Sequence, residues 1–302
     1  MSFAIEGVYC AAATPLKSDG TPNLELFGAH ARALLDEGCH GVAMLGSTGE
    51  ANSFGVRERM DLVEAALKAG VPAYGLLPGT SSCAVTDAVE MTRHAVQAGV
   101  RGVVLLPPFY YTAFSDESLF RFYASIIERV ADDRLKVILY HIPMLTGVPI
   151  SHTLIAMLRD AFPDTVVGIK DSDGKIENMH AISEKFPGFG VLAGADPLLL
   201  PVLEGGGAGC ITASSNLVAR ELRIVYDHWN DPAKADEVKA AQDIIVAWRT
   251  LTNAYVQLPT VKTMIARRRN DLGWLNVHPP FSPLSEDEQQ KVWAEMARLE
   301  AL

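Results

Sequence analysis

The chain has 302 residues, 49% of them hydrophobic and 21% charged, with a formal net charge of −10 at pH 7. That composition fits a soluble globular protein with a large core, in one large domain or two ordinary ones. The acidic balance argues against nucleic acid or an anionic membrane as partner, because both require clustered Lys and Arg.

The one basic run, Arg267-Arg268-Arg269, reads as a solvated or inter-helix face. Cys10, Cys39, Cys83 and Cys210 are scattered with no CxxC pair, a pattern of reduced thiols and not of disulfides or zinc. The opening "MSFAIEGVYC" lacks the basic start and long apolar stretch of a signal peptide, and no run approaches the roughly 18 apolar residues of a membrane span. A cytoplasmic protein is expected.

In chain order, short apolar runs alternate with segments of helical spacing. The runs are VYCAAATP (from Val8), GVAMLG (Gly41), PAYGLL (Pro72), GVVLLPP (Gly102), KVILYHIP (Lys136), TVVGIK (Thr165), GVLAGA (Gly190) and GCITAS (Gly209). Helices are predicted from Leu24 and Val56, near Ser82, Asp116 and Ser151, and between the later runs. "DEGCHGV", "KAGVPA" and "QAGVRGV" repeat one device, a helix closing on a Gly that tolerates the left-handed C-cap before the next strand. Eight such units in about 220 residues predict an α/β fold, a closed (β/α)₈ TIM barrel, over an open doubly wound sheet. From about Val218 only helical patterns remain. The expected organisation is a barrel over residues 1–230 and a C-terminal helical extension over residues 231–302.

A barrel of this kind works at the C-terminal ends of its strands. There the second run leads into "GSTGE" (residues 46–50), the fourth into "PPFYY" (107–111), the fifth ends at Tyr140 and the sixth at Lys170. Neighbouring parallel strands should bring Tyr140 and Lys170 together at matching height. A lysine is rarely buried without a reason. Taken out of water, its charged form is disfavoured, and a neutral amine forms a Schiff base with a ketone. A tyrosine hydroxyl nearby can move protons, and the Ser47-Thr48 pair in a Gly-flanked turn offers hydroxyls and N–H groups to a carboxylate. A keto acid fits all three features. Singly, each has a plainer reading, such as a snorkelling Lys, an amphipathic rim Tyr or aromatic packing; their convergence on one face favours the chemistry.

These residues resemble those of the Schiff-base pyruvate aldolases and lyases, the family of dihydrodipicolinate synthase and N-acetylneuraminate lyase. The likeness runs from "ATPLKSDGTPN" at Ala13 through "GSTGE", "PPFYY", "LYHIPMLTG", "GIKDS" and "GAD" to "PPFSPL" at Pro279. It implies a (β/α)₈ barrel with C-terminal helices, a homotetramer built from dimers, and no metal or other cofactor. By position, Lys170 resembles the imine-forming lysine and Tyr140 the proton-shuttling tyrosine. Thr48 resembles the residue that holds the pyruvate carboxylate, with Ser47 and Gly46 beside it. Ile211 is similar to a residue of the substrate pocket. Tyr110 is similar to the tyrosine that reaches the neighbouring subunit's site, with Tyr111 as the alternative.

Two departures bear on the substrate. Leu145 stands where the synthase branch carries an Arg for the aldehyde's carboxylate, and losing such a charge-assisted pair costs on the order of 2–5 kcal/mol. Asp196-Pro197 stands where the neuraminate lyase branch has an Asp-Glu pair. The expectation is a pyruvate aldolase acting on a 2-keto-3-deoxy sugar acid. The synthase reaction with aspartate semialdehyde, a keto sugar acid dehydratase, and a non-catalytic keto-acid-binding protein are the alternatives. His141, next along the strand from Tyr140, should point away from it and serve the structure. The glycine run 204–209 precedes the eighth strand and so lies opposite the working face, as tight αβ-turn packing.

Overall fold

A computed structural model describes residues 5–301. Residues 1–4 and 302, where part of the leader reading and the outer limits of the expected domains fall, lie outside the described residues. The elements in order are β1 (Gly7–Ala11), α1 (Leu24–Asp36), β2 (Gly41–Ala43), α2 (Val56–Lys68), α3 (Val85–Gln97), β3 (Val103–Leu105), α4 (Asp116–Val130), β4 (Val137–His141) and the one-turn α5 (Pro143–Thr146). There follow α6 (His152–Ala161), β5 (Val166–Asp171), α7 (Ile176–Lys185), β6 (Gly190–Ala193), α8 (Leu199–Glu204), β7 (Gly209–Thr212), α9 (Ala219–His228), α10 (Ala235–Thr252), α11 (Gln257–Arg269) and α12 (Glu286–Glu300).

The strands are parallel in the order β2-β1-β7-β6-β5-β4-β3. The gap between β2 and β3 is filled by the third apolar run, which is not a regular strand. Residues 73–75 make a 3₁₀ turn, and residues 76–80 then join both neighbours through single bridges, Val42 with Leu76 and Gly79 with Val104. Leu77 and Gly79 donate their N–H groups to Val42 and Met44, and Val104 donates to Pro78. Pro78 has no N–H to give, which interrupts the ladder and leaves a bridged stave in place of a strand. With it the fold is a TIM barrel.

Sequence alternation builds two cores. Val8, Cys10, Val137, Leu139, Val166 and Ile169 pack outward under the helices, while Tyr9, Ala11, Leu77, Val104, Ile138, Tyr140, Leu192 and Ile211 fill the barrel interior. The predicted glycine caps are present: Gly38, Gly70 and Gly99 all have positive φ. Leu24 and Val56 open helices as read, whereas the third starts at Val85, three residues after the reading near Ser82. The run 204–209 is an αβ turn, with Gly205 capping α8 and Gly209 opening β7.

The basic run lies at the surface but bonds to other elements. Arg269 pairs with Glu37, Arg268 donates to the Leu217 carbonyl and stacks over Trp248, and Arg267 donates to the Trp293 carbonyl. No helix among the described residues is long and apolar enough to cross a membrane.

Candidate active site

The site begins with a register shift. Along β4 and β5, Val137 pairs with Val166, but Ile138 pairs with Gly168, so β5 carries an extra residue at that point. Without the bulge, strict alternation from outward-facing Val166 would turn Lys170 outward. The extra residue inverts the parity, keeps Ile169 outward and aims Lys170 into the barrel beside Tyr140. Gly168 makes this possible, since a Cβ there would stand 2.6 Å from the Gly190 carbonyl oxygen and 2.7 Å from Ile5.

Tyr140 and Lys170 are then direct cross-strand partners, 4% and 5% exposed, with Lys170 Nζ 4.1 Å from the centre of the Tyr140 ring. Burial by itself would raise the Tyr140 hydroxyl. The charge of Lys170 outweighs it, helped by the polar groups of Ser47, Lys170 and Ser172, and holds that hydroxyl below its ordinary value. A phenol in this setting can both give and take a proton.

Both side chains face a small cavity at the C-terminal ends of the strands. Gly46, Ser47, Asn52, Leu77, Ser81, Val104, Leu106 and Ile211 complete much of its wall. Ser81 accepts from the Leu106 N–H at 2.8 Å. Lys170 is the only charged side chain among the lining residues.

The turn at 46–50 closes on itself, with Gly49 and Ala51 donating to the Gly46 carbonyl and Glu50 to that of Ser47. It is flanked by two non-glycine residues in the left-handed region, Leu45 (φ 59°) and Glu50 (φ 54°). The Glu50 carboxylate is fully buried, 2.6 Å from Lys262 Nζ of α11 and 2.8 Å from the His278 N–H that donates to it. Burial lowers Lys262 below the ordinary lysine value, and Glu50 opposes that shift.

Of the residues singled out in the sequence, Lys170, Tyr140, Ser47, Gly46 and Ile211 meet at this cavity. Thr48 lies half-buried on the same turn and is not part of the wall. Tyr110 and Leu145 are 78% and 66% exposed and do not line the cavity of their own chain. Tyr110 packs edge-on against the equally exposed Tyr111, and their loop approaches the end of α5, where Gly147 faces Thr112. Asp196 is buried with Oδ2 3.3 Å from Arg249 Nη1, away from the cavity wall. His141 pairs with outward-facing Asp171, and its Nδ1 accepts from the Ile150 N–H.

Sequence reading missed Ser172, Ser81, Asn52 and the Glu50–Lys262 pair. Ser172 lies two residues past Lys170, where the sixth run was read as ending. The others gave no local signal, because their neighbours come from distant parts of the chain.

The sequence profile of the dihydrodipicolinate synthetase family matches residues 4–299. The chain belongs to that family. A DapA-like lyase of Chloroflexus aurantiacus is 32% identical over 296 residues, 98% of this chain and 97% of that protein. Among solved structures, dihydrodipicolinate synthase from Agrobacterium tumefaciens superposes with a TM-score of 0.86 at 28% identity, covering 97% of this chain and 99% of that one. YagE, a prophage protein of the same family from E. coli solved in complex with pyruvate, gives 0.89 at 25% identity, with 99% of each chain covered. As a member of the dihydrodipicolinate synthetase family the protein is an enzyme of the lyase and aldolase class, acting on small molecules.

Proposed function

We propose that this enzyme is a class I pyruvate aldolase whose substrate is a 2-keto-3-deoxy sugar acid, cleaved to pyruvate and a neutral hydroxyaldehyde. The observation that carries the reading is the buried Tyr140–Lys170 pair at one height in the barrel. Lys170 gives its proton to the Tyr140 oxygen, the amine so freed adds to the keto carbon, and Tyr140 returns the proton as the carbinolamine hydroxyl leaves as water, giving an iminium. The C3–C4 bond then breaks as the C4 hydroxyl gives its proton to the Tyr140 oxygen. The bonding pair flows into the iminium, giving an enamine and the free aldehyde. Protonation at C3 and addition of water release pyruvate and restore the amine.

Ser47 stands beside Tyr140 as its relay, and Gly46 and Thr48 hold the substrate carboxylate on the turn. Ile211 walls the pyruvate end. Tyr110 serves a neighbouring subunit's site, in a homotetramer assembled over the exposed Tyr110, Tyr111, Met144 and Leu145 surface. In this reading residues 1–230 form the catalytic barrel, residues 231–302 buttress it, and the enzyme works in the cytoplasm without a cofactor.

A neutral, hydroxyl-bearing aldehyde is favoured over aspartate semialdehyde by the cavity wall, which within this chain offers hydroxyls and an amide but no charge besides Lys170. The turned-away Asp196 argues likewise against sialic acid.

Two experiments test the reading. Borohydride reduction in the presence of pyruvate should leave a stable adduct on Lys170, read by mass spectrometry, and its absence on folded protein would remove the imine. A retro-aldol screen of keto sugar acids, with pyruvate release coupled to a dehydrogenase and aspartate semialdehyde run alongside in the synthase direction, should show turnover with the sugar acids. An adduct without turnover of any of them would mark a keto-acid-binding protein.

A further inference from the structure

The fully buried Glu50–Lys262 pair joins the turn at 46–50 to α11, two parts of the chain 212 residues apart. A buried ion pair is weak grounds for stability, since apolar groups of the same shape often serve as well. A strained backbone, by contrast, persists only where its surroundings over-determine it. The turn has left-handed residues at both ends, Leu45 and Glu50, and carries Ser47, which lines the cavity together with Tyr140 and helps to hold its hydroxyl below the ordinary value. Three contacts from outside the turn hold its far end. Lys262 Nζ meets Glu50 Oε1 at 2.6 Å, the His278 N–H donates to Oε2 at 2.8 Å, and the Thr14 hydroxyl donates to the Gly49 carbonyl at 2.9 Å. His278 is itself braced, its ring packed edge-on against Phe54 at 4.8 Å, just beyond the turn.

We propose that Glu50 and Lys262 are positioning residues, a buried pair that fixes the 46–50 turn so that Ser47 meets Tyr140, and that makes α11 part of the catalytic architecture. Neither lines the cavity itself, so both act through the turn that carries Ser47. The catalytic meaning rests on the aldolase reading above, but the geometric claim can be tested without substrate.

The test is an ultraviolet titration of the tyrosinate band on the full-length chain. Each background is paired with its Tyr140→Phe counterpart, so that the difference reports Tyr140 alone. Ser47→Ala should raise the Tyr140 titration, through loss of the hydroxyl that favours the phenolate. Glu50→Gln, which keeps shape and loses charge, should raise it by a similar amount, and combining it with Ser47→Ala should add nothing. Lys262→Met should do the same where circular dichroism shows a folded protein; where it does not fold, Glu50→Gln carries the test. A Glu50→Gln protein whose Tyr140 titrates as in the wild type, or shifts that add in full, would overturn the proposal. Pyruvate trapping on Lys170, run in parallel on the wild type, reports separately on the aldolase reading.

Discussion

Lys170 sits over the face of the Tyr140 ring, its Nζ 4.1 Å from the ring centre, and its charge holds the ring's hydroxyl below its ordinary value against burial. One residue thus steadies the ring and tunes its hydroxyl. Tyr140→Phe keeps the face and removes the hydroxyl, so borohydride trapping of pyruvate should persist. Turnover should fall by about 10²–10⁴-fold, the usual worth of a positioned acid–base group. Because Tyr140 lies below its ordinary value, the wild-type rate should rise with pH across a range under 10, and the variant should lack that limb. A variant within a few-fold of wild type would assign the proton transfer to another group.

Acid should weaken the fold through His30. This ring is fully buried, its Nε2 is 2.9 Å from Asn216 Oδ1, and burial, with a smaller push from Arg269, pulls its pKa from 6.5 to about 4 against the opposing Asn216 bond. The folded protein therefore holds fewer protons than the unfolded chain. The stabilising contribution is complete above 6.5 and is lost as pH falls towards 4, at most about 3 kcal/mol. Urea midpoints measured on both sides of this window should drop less in His30→Gln, which can still donate to Asn216 but does not titrate. Equal drops in variant and wild type would place the acid sensitivity elsewhere.

Much of the fold was legible because local patterns carry it. Helix periodicity marked the starts of α1 and α2 to the residue, and terminal glycines their ends to within two residues, since cap chemistry and apolar spacing are set within a few neighbours. The third stave was read as a strand like the others. The interruption by Pro78 was visible in the sequence, but whether neighbours would bridge around it depended on the closed sheet. At the site, Lys170 and Tyr140 were legible as odd residues at strand ends. What aims Lys170 inward was not, because simple alternation along TVVGIK would send Val167 and Ile169 to the same face. The structure sends Val167 inward and Ile169 outward, a parity change made by a bulge that only the pairing with β4 reveals.

That bulge is open to direct test at Gly168. A Cβ there would meet backbone oxygen at 2.6 Å and the Ile5 side chain at 2.7 Å, and a carbonyl cannot rotate away as a flexible side chain can. Gly168→Ala should cost about 1–3 kcal/mol in chemical denaturation, as overpacking does. It should also slow pyruvate trapping more than temperature-matched controls of equal stability, because β5 must shift at the residues that aim Lys170. If trapping is untouched, the register is not what sets the lysine.

Leu145 offers the sharpest test of substrate choice. It stands 66% exposed on α5, whose first residue lies two positions after the end of β4, so a longer cationic side chain there meets no packing obstacle. Among the described residues the cavity wall has no cation besides Lys170. An aldehyde bearing its own carboxylate therefore enters with that charge unpaired, while a neutral hydroxyaldehyde loses nothing. Leu145→Arg should raise kcat/KM for condensation of pyruvate with aspartate semialdehyde by about tenfold, less than the full worth of a buried charge pair because the position is solvent-exposed. The gain should appear in the aldehyde's KM and shrink with added salt, as a screened interaction does. Were the wild-type enzyme already to condense aspartate semialdehyde efficiently, with the Arg variant no better, the cation-poor wall would not govern specificity, and the choice of aldehyde would have to rest on residues supplied from outside this chain's own cavity.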